Sequence, residues 1–167
     1  MKSSTSATSE GSFGVTARGL VSRQLDNLIL VLLVFWAGAL WAVGFVVAPV
    51  LFELIPERAL AGSIAGRLFE ICWWISYLVG GCVLVHALAR GAWRSAVFWI
   101  ACVMILLSLI SAFGIQPQIA ELRAAMDADE ALRGSFAMWH GVSSVLYALQ
   151  SMLAVVLVVR FVRALPR

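Results

Sequence analysis

Residues 27–52 read NLILVLLVFWAGALWAVGFVVAPVLF, a stretch with no charged side chain, bounded by Asp26 and Glu53. At ~1.5 Å per residue, a helix of that length reaches ~39 Å, more than the ~30 Å of hydrocarbon in a bilayer. The run is continuously apolar, without the inside/outside alternation of a barrel strand, so it is read as a membrane helix. Three more uncharged runs follow, between Glu70 and Arg90, between Arg94 and Glu121, and between Arg133 and Arg160. The second is the shortest, and the apolar residues around Leu60 to Leu68 extend it past Arg67. The expected fold is therefore all-α: an integral membrane bundle of four antiparallel transmembrane helices, at about 27–54, 62–89, 94–116 and 134–161.

Composition agrees. The chain is 62% hydrophobic and 13% charged, whereas soluble domains are roughly 45–50% apolar and about 25% charged. That excess of apolar surface needs an apolar solvent. With a net charge of only +3, there is no basic coat of the nucleic-acid-binding kind, and no nucleic-acid partner is expected. The bilayer is the expected partner. Cys72, Cys82 and Cys102 all lie in apolar runs, form no CxxC pair, and read as small core residues.

Basic residues set the expected orientation. The N-terminal segment, the turn between helices 2 and 3, and the C-terminus carry eight Lys and Arg against Glu10 and Asp26. The other two connections carry four Arg against seven acids. Lys and Arg stay on the cytoplasmic side, so both termini are expected there, in the inner membrane if the host is bacterial. Residues 1–17, rich in Ser, Thr and Gly, are expected to be a disordered cytoplasmic tail. Residues 18–26 are expected to form a juxtamembrane segment with Arg18 and Arg23 in the headgroup layer. The short ARGAWR turn at 89–94 forces a hairpin. Between helices 3 and 4, residues 118–131 place Ile119, Leu122 and Met126 on one face, as expected of helix 3 projecting past the membrane or of a short surface helix.

Two stretches carry a resemblance. The first is Gly44-Phe-Val-Val-Ala-Pro-Val-Leu-Phe52, followed by Ala61-Gly62 and Gly66-Arg67-Leu68-Phe69. The second is Pro117 with Leu122-Arg123, then Phe136-Ala-Met-Trp-His140-Gly141-Val-Ser143-Ser144. Together they resemble the family built on domain of unknown function 4149, to which the eukaryotic transmembrane protein 205 belongs. The resemblance spans roughly residues 28–163. It implies four membrane helices and a membrane location, and brings no reaction with it.

Polar groups at membrane depth are costly, so each is a candidate for function or for helix–helix bonding. Pro49 cannot donate to the Phe45 carbonyl, so a kink is expected there, with an opened carbonyl available to line a cavity. On helix 4, His140, Ser143, Ser144, Tyr147, Gln150 and Ser151 share one face at ~3.6 residues per turn. Interhelical bonding, or a polar lining for a solute path, follows from that face. Glu53, Arg67, Glu70, Gln116, Glu121 and His140 are expected at a common outer depth. Arg67 and Glu70, three residues apart, can pair on one helix face, and the six read either as a charge network or as a cation or substrate site in which Glu70, Glu121 and His140 supply ligands. Small residues at four-residue spacing (Gly38/Ala42, Gly44/Ala48, Gly62/Gly66, Ser144/Ala148) point to close approach of helices 1, 2 and 4.

His86 lies one turn from Arg90 and His140 two turns from Arg133, so their depths differ by roughly 15–25 Å. One iron needs both nitrogens within ~2.1 Å. The sequence thus argues against a bis-histidine haem within one subunit, and it specifies no other cofactor or metal. HExxH, phosphate-cradling loops and GxSxG are absent from the sequence, so it offers no catalytic signature. Two functions are carried forward. One is a small-solute or metal-ion transporter or accessory, expected as a homodimer because four helices make a thin wall. The other is a membrane scaffold or redox-associated subunit without independent catalysis.

Overall fold

The computed structural model describes residues 7–125 and 130–165, and every element among them is helical. Helix α1 (residues 7–54) consists of Ala7–Ala42, a π-helical turn Val43–Val47 and a last segment Ala48–Leu54. Helix α2 is Arg58–Ala89, and α3 runs continuously as Ala96–Ala125. After a 3-10 turn at Glu130–Leu132, α4 spans Arg133–Ala164. All four are long and apolar enough to cross a bilayer, with the membrane-compatible part of α1 being Leu20–Leu54. The chain is a four-helix membrane protein.

Local chemistry sets the boundaries. Ile55, which precedes Pro56, is extended (φ −101°, ψ 109°), because a proline ring disfavours helical geometry in the residue before it. At the end of α2, Gly91 takes φ +65°. Its N–H donates to Leu88 O and that of Ala92 to Ala87 O, the paired bonds that close a helix around a left-handed glycine. Ser95 Oγ then accepts from Phe98 N at 3.2 Å and starts α3, two residues later than the expected start at 94. Helix α2 begins at Arg58, four residues before the expected start. Helix α1 begins well before residue 27: no proline interrupts it before Pro49, and helical turns extend back to Ala7 through much of the segment expected to be disordered. Residues 1–6 lie outside the described residues, as do 126–129, where the projecting part of α3 was expected to end.

The helices form a closed ring in which α1 packs on α2, α2 on α3, α3 on α4 and α4 on α1. The core is built from Leu33, Trp36 and Leu40 of α1, Val83 of α2, Met104 of α3 and Leu157 of α4, each at most 1% exposed. Large apolar side chains such as Phe35, Trp74, Leu78, Phe113 and Val145 are exposed around the outside, and lipid is the solvent that accepts them. The near end of the bundle is where α1 starts and α4 finishes. The far end is where α1 finishes and α4 starts.

Not every small-residue pair works at a helix contact. A Cβ on Gly44 would collide with the Tyr147 ring, and one on Gly80 would press on Ile105, so both glycines permit close helix approach. A Cβ on Gly38 or Gly66 would meet nothing within 4 Å.

Candidate functional site

Midway along the bundle, a buried polar network joins all four helices. Trp36 Nε1–H donates to Ser76 Oγ at 2.9 Å. Gln150 Nε2 donates to Ser108 Oγ at 2.7 Å and to Ser76 Oγ at 3.3 Å. Both serines pass their own protons back to carbonyls of their own helices, Cys72 O and Met104 O. Gln150 is 2% exposed and both serines are fully buried, so these groups satisfy one another without water.

Beyond the network, toward the far end, the helices part around a cavity of about 330 Å³. All four contribute: Gly44, Pro49 and Phe52 from α1, Gly62, Phe69 and Trp73 from α2, Gln116, Ile119 and Arg123 from α3, and His140, Ser143, Ser144 and Tyr147 from α4. That size lies within the range of small-molecule sites, which are mostly apolar with a few placed polar groups.

The helices open here for a backbone reason that occurs twice. Val43–Val47 and Ile110–Ile115 are both π-helical, and each is followed after one residue by a proline, Pro49 and Pro117. Proline lacks an N–H and its ring crowds the carbonyl four residues back. Widening to i→i−5 bonding relieves this: Ala48 N–H reaches Val43 O, and Gln116 N–H reaches Ser111 O. Such single π turns often mark functional sites. The kink expected at Pro49 takes this form.

Tyr147 forms the floor. Its hydroxyl donates to Leu40 O at 2.6 Å, just before the first π turn, and its ring packs edge-on against Phe69 with centroids 4.9 Å apart. Only a glycine at 44 lets the ring in this close. The rim is cationic and aromatic. Arg123 sits over the Phe136 ring at 5.9 Å, and Phe136 stacks nearly parallel on His140 at 5.9 Å. The guanidinium lies against Gly62, where a Cβ would stand 3.4 Å from an Arg123 nitrogen.

A family model described as domain of unknown function (DUF4149) matches residues 31–128. The chain belongs to that family. Curated proteins and solved structures give no match. The matched range takes in the cavity walls from α1, α2 and α3, both π turns and Arg123 of this DUF4149 chain. The Phe136…Ser144 stretch of α4 falls outside it.

The expected outer cluster does not assemble around the cavity. Gln116 and His140 line it, but Arg67 and Glu70 pair with each other at 2.6 Å on an open face of α2, with the Arg67 side chain 80% exposed. Glu53 and Glu121 are exposed and are not among the lining residues. Three-residue spacing satisfies Arg67 and Glu70 along one helix, which removes the drive to bridge helices. Among the described residues, no three His, Cys, Asp or Glu side chains converge as a metal group would.

On α4, the polar face divides by depth. His140, Ser143, Ser144 and Tyr147 line the cavity, whereas Gln150 and Ser151 are buried beneath it. Ser144 and Ser151 donate to carbonyls of their own helix, His140 O and Tyr147 O, so those hydroxyls do not bond a neighbouring helix.

Two features escaped the sequence reading. Arg123 lies seven residues from Gln116, on the same helical face, and following that face outward would have exposed it as the cavity's cation. At the near end, His86 and Arg90 are one turn apart and meet Asp26 of α1: His86 Nε2 lies 3.0 Å and Arg90 2.6 Å from Asp26 Oδ1. Asp26, expected in a headgroup segment, is therefore buried against α2. His86 contacts Phe161 of α4, and His140 lies twenty-one residues before Phe161 on the same helix. At ~1.5 Å per residue the two histidines are roughly 30 Å apart.

Proposed function

We propose that this DUF4149 chain is a small-solute carrier, or a carrier's accessory, that takes an amphipathic organic solute with an anionic head into the far-end cavity. The carrying observation is the cavity of about 330 Å³ where four helices converge, with mostly apolar walls and Arg123 lying beside Gly62 among the lining residues. Apolar walls match a hydrocarbon body, and a guanidinium matches carboxylate or phosphate. Among the described residues the lining holds Arg123 and His140 and no carboxylate, which favours this solute over a metal ion. The eight-to-four Lys and Arg asymmetry supports a near end facing the cytoplasm, at the inner membrane if the host is bacterial. A four-helix ring is a thin wall around a solute, so a homodimer is the assembly proposed.

The test is solute binding and uptake by the purified chain in liposomes, screening medium-chain carboxylates and organophosphates against inorganic cations. Arg123→Gln should weaken anion binding by about tenfold to a hundredfold, the equivalent of one charge-assisted contact of ~1.5–3 kcal/mol. Anion binding that ignores this substitution would overturn the assignment.

The mid-bundle network favours a second reading. Its tie between all four helices suits a rigid scaffold or redox-associated subunit with no catalysis of its own. On that reading no solute binds, and a partner protein copurifies irrespective of Arg123.

A further inference from the structure

At the near end the bundle holds a second cavity, of about 230 Å³, with polar residues Asp26, His86, Arg90 and Ser95 and apolar residues that include Phe161 and Leu165. The Asp26 side chain is 7% exposed. His86 and Arg90 both approach the same oxygen, Oδ1. The other, Oδ2, is buried and has no hydrogen-bond partner among the described residues. A carboxylate oxygen shielded from water calls for a donor. Asp26 is one of the residues lining the cavity, whose volume far exceeds the ~30 Å³ that a single water occupies in the liquid.

The same cavity also offers groups that suit an anion. Ser95 and Val97 mark the start of α3, where Ser95 caps the Phe98 N–H and the N–H groups before it precede the first intrahelical bond. Arg90 stands beside them with a fork of five donors, not all of which Asp26 and the Ser22 carbonyl can use. A seat for a cation and a seat for an anion therefore share one cavity. It lies where the apolar run of α1 begins and that of α2 ends, at headgroup depth.

We propose that this cavity binds a zwitterionic primary-amine headgroup, with the ammonium donating to Asp26 and the phosphate resting on Arg90 and the first turn of α3. The apolar side chains Phe161 and Leu165 accept the adjoining carbon chain. Arg23, Arg94, Arg160 and Arg163 lie on the same side of the membrane and attract any anionic lipid without selecting an amine. Selection comes from Asp26, which repels an anionic head that brings no donor.

The full chain, purified in detergent, is titrated with phosphatidylethanolamine, with phosphatidylcholine and with phosphatidylglycerol, reading bound lipid by native mass spectrometry. Phosphatidylcholine keeps both charges but has no N–H, and phosphatidylglycerol has no amine. Phosphatidylethanolamine should bind at least tenfold more tightly than either, and Asp26→Asn should level the three. Equal binding of phosphatidylcholine or phosphatidylglycerol by the native chain overturns the proposal, and that comparison needs no variant to fold. A preference that survives Asp26→Asn overturns it too. Soluble phosphoethanolamine identifies the source: competition indicates a free headgroup compound, and its failure to compete a selectively bound phosphatidylethanolamine indicates the lipid. Arg123→Gln should leave this preference intact, so the result stands apart from the fate of the far-end cavity.

Discussion

Replacing Ser76 by Ala should destabilise the bundle more than replacing Gln150 by Leu, although Gln150 is the larger polar group and makes two of the network's bonds. Ser76 Oγ accepts from Trp36 at 2.9 Å and from Gln150 at 3.3 Å. Removing it leaves the Trp36 N–H unpaired on a side chain 1% exposed. An orphaned buried donor costs ~1–3 kcal/mol, and the lost Gln150 bond adds about 0.6 kcal/mol, the average for interhelical bonds in membranes. Ser76→Ala should therefore cost about 2–3 kcal/mol. With Gln150→Leu, both serines keep their own-helix carbonyl acceptors and Ser76 keeps Trp36. Two average bonds disappear, about 1 kcal/mol, with no donor stranded. Trp36→Phe combined with Ser76→Ala should cost less than the sum of the two, since removing both partners strands nothing. Reversible unfolding in dodecyl maltoside and dodecyl sulfate mixtures, followed by tryptophan fluorescence, measures the four variants against the native chain. If Gln150→Leu proves costlier than Ser76→Ala, or Trp36→Phe gives no relief, the hydrogen-bond accounting is wrong.

Other predictions follow from the same geometry. Gly44→Val drives a side chain into the Tyr147 ring, and overpacking of this kind costs about 1–3 kcal/mol; the same unfolding assay checks it, and native stability would refute the close approach. Arg67→Ala breaks an exposed pair and should change stability by less than ~1 kcal/mol, because open ion pairs contribute little. Solute binding at the far-end cavity should not depend on Arg67 either, which equilibrium dialysis against the anion found in the screen can read. Pro117→Ala restores an N–H and removes the ring from the Phe113 carbonyl, allowing i→i−4 bonding to resume. Spin labels placed on either side of Pro117 should then report a measurable change in helix geometry by electron–electron distance measurement.

How much of this was legible in the sequence depended on whether a single helix carried the information. The four spans were readable because each is a continuous apolar run, and the polar face of α4 was readable because its spacing is internal to α4. Arg123 was visible in the expected projecting helix and in the resemblance motif, but only following its face of α3 from Gln116 marks it as a lining residue. The outer cluster failed for the same reason in reverse. Grouping Glu53, Glu70 and Glu121 by the ends of apolar runs fixed neither their depth, since Glu70 lies twelve residues into α2 while Glu53 is one residue from the end of α1, nor which way each faces around its own helix axis. Asp26, His86 and Arg90 could have been paired, since Asp26 faces an excess of arginines on its side and His86 and Arg90 lie one turn apart. Reading Asp26 as the end of a run instead of as a residue with its own burial hid that pairing.

Position within the ring explains why the two cavities do not join into a pore. The π turns lie on α1 and α3, diagonal helices that are not packed as a pair. Beyond them α1 stays packed on α2 and α3 on α4, and the cavity opens between those two pairs. Below them, Trp36, Ser76, Ser108 and Gln150 meet in the centre and close the ring with bonds from every helix. An ion pair there would lock it, because separating buried charges costs ~3–5 kcal/mol. Bonds of about 0.6 kcal/mol each close it only weakly. The carrier reading needs that weakness, because a solute held at Arg123 can reach the near side only if the serines and Gln150 exchange partners. Combining Ser108→Asp with Gln150→Lys puts such an ion pair where Gln150 now meets Ser108 at 2.7 Å. It should leave anion binding at the far-end cavity unchanged while abolishing uptake into liposomes. Uptake at the native rate through such a locked centre would show that the solute does not pass between these helices.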